Sequence, residues 1–426
     1  MYNIYIETFG CSANQSNSEI MAGLLARAGL NIVKNKEIAD VIILNTCIVK
    51  GPTEQRMCSR IKELASKKLV VAGCMPSAEA DKIKRIAPKA VLVGVHDFKK
   101  ILLAVSSVIK GKQKEFLSER NEEMLCMPKI PFNKVISITQ ISEGCPGNCS
   151  YCFTKLAKGD LFSYSQQNIL KSVKNDIAAG CKEIWLTSQD NAAYGMDYGS
   201  RMLPELLENI LSLKGKFLVR LGMMNPNNVL PILHELIKCY KNEKMFKFLH
   251  IPLQSGSDKV LGAMNRNYSV KDFLKIINGF RKEIPDITVS TDIICGYPTE
   301  TKEDFEQTLE IIKKIKPDIL NISKFWSMPR TQASKLKQLS SEEIKKRSTR
   351  LALLHKEIAL DNNKKWIEWQ GKCLIDDFGK GNDMLARNNC YKMVVLKADK
   401  FMLGKSVNVR ITEITPHYLH GEIIIQ

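Results

Sequence analysis

The sequence predicts an α/β protein in three pieces: an N-terminal parallel-sheet α/β domain, a partial barrel of six strand–helix units, and a small C-terminal β-barrel. Three observations predict it. Apolar strand-like runs alternate with helical segments as far as residue 365, the pattern of a parallel sheet with covering helices. A polar, charged stretch containing Pro128 and Pro131 interrupts the alternation. After Trp366 the helices stop, and short strands with turn residues between them take over. A chain of 426 residues exceeds one compact core, so the divisions are drawn at 1–109, a linker over 110–132, 133–365 and 366–426.

In the first domain Ile4-Tyr5-Ile6, Val41–Leu44, Leu69–Val71 and Ala90–Val93 read as strands. They alternate with helices over Ser16–Ala28, Thr53–Ser66, Ala78–Ile86 and Asp97–Val108. The second domain repeats the alternation with strands at Val135–Gln140, Glu183–Thr187, Phe217–Leu221, Phe248–Pro252, Thr288–Ile294 and Ile319–Phe325. Helices over Gln167–Ala179, Leu203–Leu213, Val229–Tyr240, Val270–Lys282 and Thr301–Lys314 lie between them. Six units suit a partial barrel with its chemistry at the strand C-terminal ends. One long helix is expected over 340–365, then strands at Lys372–Ile375, Met393–Val395, Ser406–Ile414 and His420–Ile425.

Lysine and arginine number 63 against 45 acidic residues, a formal charge of +18. The excess is +7 over 1–130, +5 over 131–334, +5 over 335–365 and +1 over 366–426, so it is densest in the lysine-rich helix. Such a face suits either solvent or a nucleic-acid backbone, and charge alone does not choose. No apolar run approaches the roughly 20 residues that span a bilayer, and the N-terminus lacks the basic and apolar blocks of a signal peptide. A cytoplasmic protein without membrane partners is expected.

Thirteen cysteines without an export signal point to metal or redox chemistry rather than a disulfide framework. Cys145, Cys149 and Cys152 share one short loop after the first strand of the second domain, and three local thiolates can wrap an iron–sulfur cluster while leaving one iron open. A zinc loop would want a fourth local ligand; the nearest histidines in sequence are His96 and His234. Cys11, Cys47 and Cys74 each fall just beyond an apolar strand. In a parallel sheet these three ends emerge on one edge, where open α/β folds bind ligands. Three separate buried cysteines are the ordinary alternative.

The Cys145–Cys152 loop resembles the signature of radical S-adenosylmethionine (SAM) enzymes. Thr8-Phe9-Gly10-Cys11, Asn45-Thr46-Cys47 and Ala72-Gly73-Cys74 resemble the methylthiotransferase branch. His250–Ser257 and Thr291–Pro298 are similar to its barrel motifs, and Leu403–Val409 through Gly421 to its RNA-binding TRAM module. Glu183–Asp190 and Arg220–Pro226 look most like the archaeal and eukaryotic branch acting on threonylcarbamoyladenosine in tRNA.

The resemblance implies two 4Fe–4S clusters, on Cys145/Cys149/Cys152 and on Cys11/Cys47/Cys74, with SAM at the first. A radical from SAM would remove hydrogen from carbon 2 of adenine, whose C–H offers no acidic proton to a base. The second cluster would deliver a methylthio group. Tyr151, Thr187, Ser188, Gln189, Asp190, Gln254, Ser255 and Asp292 are implied as SAM contacts. Arg220 and Asn225 are candidates for the threonylcarbamoyl group, a guanidinium fork suiting a carboxylate, and Lys155 and Lys158 for phosphate. The partners implied are the tRNA anticodon stem-loop, an electron donor such as ferredoxin or flavodoxin, and a sulfur donor. The base must be splayed out to react, gripped by the terminal β module and the basic helix.

Two segments depart from the family pattern. Met328-Pro329-Arg330-Thr331-Gln332 stands where Arg-Pro-Gly-Thr-Pro is usual, and Asn191-Ala192 where Thr-Gly is. Other products of the same chemistry are methylthiolated isopentenyladenosine or a ribosomal-protein aspartate. Outside enzymes, the alternative is an iron–sulfur RNA-binding sensor.

Overall fold

The computed structural model describes residues 1–48, 51–119 and 122–424. Its N-terminal sheet runs Asn31–Val33, Asn3–Thr8, Val41–Thr46, Leu69–Gly73, Val91–Val93 and Glu115–Phe116, all parallel. The two central strands, Val41–Thr46 and Leu69–Gly73, are buried throughout, which is why they read as unbroken apolar runs. Asn31–Val33 and Glu115–Phe116 were not expected. Both are edge strands of two or three residues, too short for a period to show. The second lies inside the expected linker, so part of 110–132 belongs to this sheet.

The first helix spans Ser12–Arg27, starting a turn before the expected Ser16. The polar face of its first half meets protein rather than water. Ser16, Asn17, Ser18 and Glu19 are all buried. Ser16 Oγ donates to the Ile138 carbonyl at 3.2 Å, and Gln140 Nε2 donates to Asn17 Oδ1 at 2.6 Å. The helix thus lies along the first barrel strand, Ile136–Gln140.

Glu19 on this face accepts from the Phe132 amide at 3.1 Å. Burial pushes its carboxyl up from 4.5 to about 7, against the lowering effects of that amide and Lys129. The folded state therefore holds a proton that the unfolded state has released, and stability falls as pH rises through that interval. Glu19→Gln is expected to stabilise the protein by about 2–3 kcal/mol at pH 8. The gain should nearly vanish at pH 5, as urea unfolding at the two pH values would show.

The barrel consists of two parallel three-stranded sheets. One is Leu218–Leu221, Glu183–Thr187 and Ile136–Gln140; the other is Phe248–His250, Thr288–Cys295 and Ile319–Lys324. Backbone bonds from Val219 N to Lys244 O (2.7 Å) and from Phe246 N to Val219 O (3.0 Å) join them. Alternation sorts the side chains. Ile184, Leu186, Val219, Leu221, Leu249, Val289 and Ile293 meet the helices in one core. Trp185, Arg220, Phe248, His250, Asp292 and Asn321 take the other face and contact one another across the lumen.

The helix Ser341–Lys364 packs on the barrel through Leu351 and Ile358. Its basic character is partly spent internally: buried Arg347 pairs with Glu300 at 2.7 Å and Glu343 at 2.8 Å, and Arg350 with Glu306 at 2.6 Å. Lys345, Lys346 and Lys356 remain exposed. The C-terminal strands Gln370–Phe378, Asp383–Asn388, Met393–Lys397, Leu419–Ile423 and Ser406–Ile414 close into a barrel. Asp383–Asn388 was not expected, because Asp, Arg and Asn break its apolar alternation; Ile425 lies outside the described residues.

Candidate functional site: two cysteine sets at one domain junction

Register brings the first set together. Thr8 pairs with Asn45, and Thr46 with Gly73, so the strands end level and Cys11, Cys47 and Cys74 follow them on one edge. The loop before Cys11 presses on Cys47. Gly10 has φ +111°, and a Cβ there would sit 2.8 Å from Cys47 Cβ, so only glycine fits. Buried Asn14 ties the loops: its Nδ2 donates to the Phe9 carbonyl at 2.8 Å and the Thr46 carbonyl at 2.9 Å, while Cys74 Sγ lies 3.9 Å from its Oδ1. Burial pushes the Cys74 thiol up to about 12, so it becomes a thiolate at neutral pH only by binding metal.

The second set follows the two-residue strand Ser142–Glu143. Gly144 has φ +74°, and a Cβ there would lie 1.8 Å from the Asp160 carbonyl oxygen, which folds the loop back on itself. The Gly147 amide donates to Cys145 Sγ at 3.3 Å, and Arg266 Nη1 donates to Cys149 Sγ at 3.3 Å. The Ser150 hydroxyl and the Asn148 carbonyl anchor the loop to Ala263 (3.0 Å) and Asn265 (2.7 Å). Burial pushes Cys145 up to about 12 as well. Among the described residues no three His, Cys, Asp or Glu side chains close around a single metal ion; ligands of a cluster bind separate irons and need not converge that tightly.

The two sets share a junction. The short helix Thr154–Lys158, which follows Cys152, packs on the helix Cys74–Ile86, which begins at Cys74. Between them Lys158 Nζ pairs with Glu143 in full burial, and His96 Nδ1 lies 3.4 Å from Glu143 Oε2. Lys158 therefore faces no RNA phosphate, correcting the sequence expectation. Lys155 is likewise drawn inward: its Nζ donates to the Cys145 carbonyl and to Asp160 at 2.6 Å, bracing the loop. The atypical Arg330 strengthens the same junction. It sits at φ +66° where the family pattern has glycine, lies 5.6 Å over the Phe153 ring, and bonds Ala78 O and Glu79 (3.0 Å).

At the strand ends, Ser188 Oγ, Gln189 Oε1, Asn225 Oδ1 and Gln254 Oε1 are buried with no protein partner. Native proteins seldom leave such atoms unpaired, so these positions fit a polar ligand. Gln254 is also held at φ +70° by bonds to Asp292 O (2.7 Å) and Ile294 N (3.0 Å), a strained backbone of the kind found at binding sites. Tyr151 packs beside Val260, Ile294, Tyr297 and Phe325.

Others among the expected contacts are occupied within the protein. Asp190 accepts from the Ala192 and Asn225 amides (3.2 and 3.0 Å) and from Asn228 Nδ2 (2.7 Å), so it shapes the loop rather than offering a free carboxylate. It also caps the buried turn Asn191–Ala193, the second atypical segment. Ser255 Oγ accepts from the Ser257 amide at 3.3 Å, and Thr187 bonds Ile141 N at 3.0 Å through its main-chain carbonyl alone. Asp292 is bound by His250 Nε2 at 3.1 Å and Asn321 Nδ2 at 2.6 Å. Sequence reading missed His250, Arg266 and Asn14. His250 opens a motif already noted and Asn14 follows Cys11 by three residues, but Arg266 reaches Cys149 only through folding.

Family models match in chain order: "Uncharacterized protein family UPF0004" over 3–94, "Radical SAM superfamily" over 139–312 and "TRAM domain" over 373–424. Among solved structures, the radical SAM methyltransferase TsrM from Kitasatospora setae aligns with TM-score 0.56 at 12% identity, over 78% of this chain and 75% of that one. The radical SAM enzyme OxsB aligns with TM-score 0.52 at 10% identity, over 84% and 56%. These two show the fold.

Curated relatives align much more closely. A Pyrococcus horikoshii chain described as "Probable threonylcarbamoyladenosine tRNA methylthiotransferase" is 39% identical over the whole of both chains. One of the same description from Methanothermobacter thermautotrophicus is 39% identical over 98% of each. The Danio rerio threonylcarbamoyladenosine tRNA methylthiotransferase is 37% identical over 99% of this chain and 78% of its own length. With three matching domains in order and full-length likeness to archaeal and animal members, the chain belongs to the threonylcarbamoyladenosine tRNA methylthiotransferase family.

Proposed function

We propose that the chain is a tRNA-modifying enzyme that converts threonylcarbamoyladenosine at nucleotide 37, beside the anticodon, to its 2-methylthio derivative by radical SAM chemistry. What carries this reading is the junction of the two cysteine sets, where the helix that follows Cys152 packs on the helix that begins at Cys74. When bound, SAM with a 4Fe–4S cluster on Cys145, Cys149 and Cys152 supplies the hydrogen-abstracting radical, and a second cluster on Cys11, Cys47 and Cys74 supplies the methylthio group.

The residues themselves bind, orient and shield. Ser188, Gln189 and Gln254 offer SAM the unpaired polar atoms at the strand ends, and Tyr151 offers an aromatic surface beside the third cysteine. Arg266 donates to Cys149 Sγ and so fixes the position of that side chain in the loop. Arg220 and Asn225 are assigned to the threonylcarbamoyl group. RNA reaches the site through the C-terminal barrel and the exposed lysines of the long helix, with the anticodon loop opened. A reductant such as ferredoxin or flavodoxin and a sulfur donor complete the cycle. A cytoplasmic location follows from this role; no helix among the described residues is long and apolar enough to cross a membrane.

Mass spectrometry of nucleosides from total tRNA tests the reading. Deletion of the gene should remove 2-methylthio-threonylcarbamoyladenosine and leave its unthiolated precursor in place. Persistence of the product, or loss of a methylthio group from isopentenyladenosine instead, overturns it.

A further inference from the structure

Resting on that reading, we propose that Tyr391 of the C-terminal barrel is a positioning residue for Arg220, so that this domain completes the pocket for the substrate carboxylate as well as gripping RNA. The turn Asn388–Lys392 enters the barrel at the N-terminal ends of its strands, opposite the cysteine loop. The Lys247 amide bonds the Asn389 carbonyl at 2.8 Å. Tyr391, held at φ +61°, stacks edge-on against Phe246 (4.8 Å) and tilts on Phe248 (4.9 Å).

The Arg220 guanidinium then lies among three rings: Trp185 at 5.0 Å, Phe248 at 5.1 Å and Tyr391 at 5.7 Å. Rings attract a guanidinium but take none of its N–H hydrogens as a carboxylate does. Among the described residues the Arg220 side chain makes no hydrogen bond or ion pair, and its Nε is buried without an acceptor. The neighbouring carboxyls bond other groups, Asp376 and Glu183 through one oxygen each. Asp376 takes Arg387 at 3.3 Å, Glu183 accepts the Trp185 indole N–H at 2.5 Å, and Asp292 holds His250 and Asn321. A caged guanidinium with its fork unclaimed is built to receive a planar anion, and threonylcarbamoyladenosine carries one carboxylate.

The test uses two anticodon stem-loop RNAs, one with threonylcarbamoyladenosine and one with its methyl ester, which removes the charge. Binding to the full-length, cluster-reconstituted protein is read by fluorescence anisotropy. Wild type should bind the acid about 10- to 100-fold tighter than the ester, the range of a charge-assisted pair. Tyr391→Leu should reduce that ratio to about twofold or less, while Tyr391→Phe, which keeps the ring, retains it. Should the leucine variant not fold, Tyr391→Met carries the same expectation. Discrimination that survives loss of the ring, or is absent from wild type, overturns the inference even where nucleoside analysis upholds the reading. Persistence of the methylthio product after deletion of the gene overturns both.

Discussion

Alanine at Cys145 should abolish both deoxyadenosine formation from SAM and the methylthio product, whereas alanine at Cys74 should abolish the product and leave deoxyadenosine formation in place. The asymmetry follows from position. Cys145 shares its short loop with Cys149 and Cys152, in the domain whose strand ends carry the unpaired polar atoms assigned to SAM. Cys74 ends a strand of a different domain and is grouped with Cys11 and Cys47. Losing one of three thiolates from either set removes the hold on one cluster. Reconstituted wild type should carry about eight irons per chain and each variant about four. Iron and sulfide analysis, with chromatography of the SAM products, checks the pair. Cys74→Ala with full iron would mean that the N-terminal set is three ordinary thiols, and an RNA-binding protein with a single cluster would then be the better description.

The cysteines were legible because each signal is local: a short loop for one set, and for the other the recurrence of a strand, a small residue and a cysteine. The central strands of the N-terminal sheet were legible for the same reason, since parallel strands buried on both faces are apolar throughout, whereas its two short edge strands were not. What stayed hidden arises between domains. On the helix Ser12–Arg27, Ser16 and Asn17 are polar because they bond a barrel strand more than a hundred residues away. Lys158 reads as a phosphate contact after a cluster loop, yet its partner Glu143 stands on the far side of that loop and its surroundings come from the first domain. Arg220 was noticed for its chemistry, but the cage around it includes Tyr391, supplied by the last domain. Local pattern does not encode such neighbours.

Lys158→Met should be among the most damaging single changes outside the cysteines, costing about 3–5 kcal/mol, because it strands a buried carboxylate. Lys158 and Glu143 side chains are 1% and 3% exposed. Burial works against both charges, yet the attraction overrides it: the Glu143 carboxyl is held below its usual range and the Lys158 ammonium above. The pair is therefore ionised at neutral pH, and removing one member leaves the other unsolvated. His96, 3.4 Å from Glu143, is too weak a substitute to hold that charge. Replacing both by methionine should recover most of the loss, since two apolar side chains of similar volume leave no orphaned ion. Urea unfolding of the two single variants and the double variant measures this, and iron content should fall in the single variants because the pair joins Gly144-Cys145 to the helix packed on Cys74. A Lys158→Met protein within about 1 kcal/mol of wild type, which is the ordinary worth of an exposed pair, would show that the junction owes its stability to the apolar contacts of Phe153 and Ala157 instead.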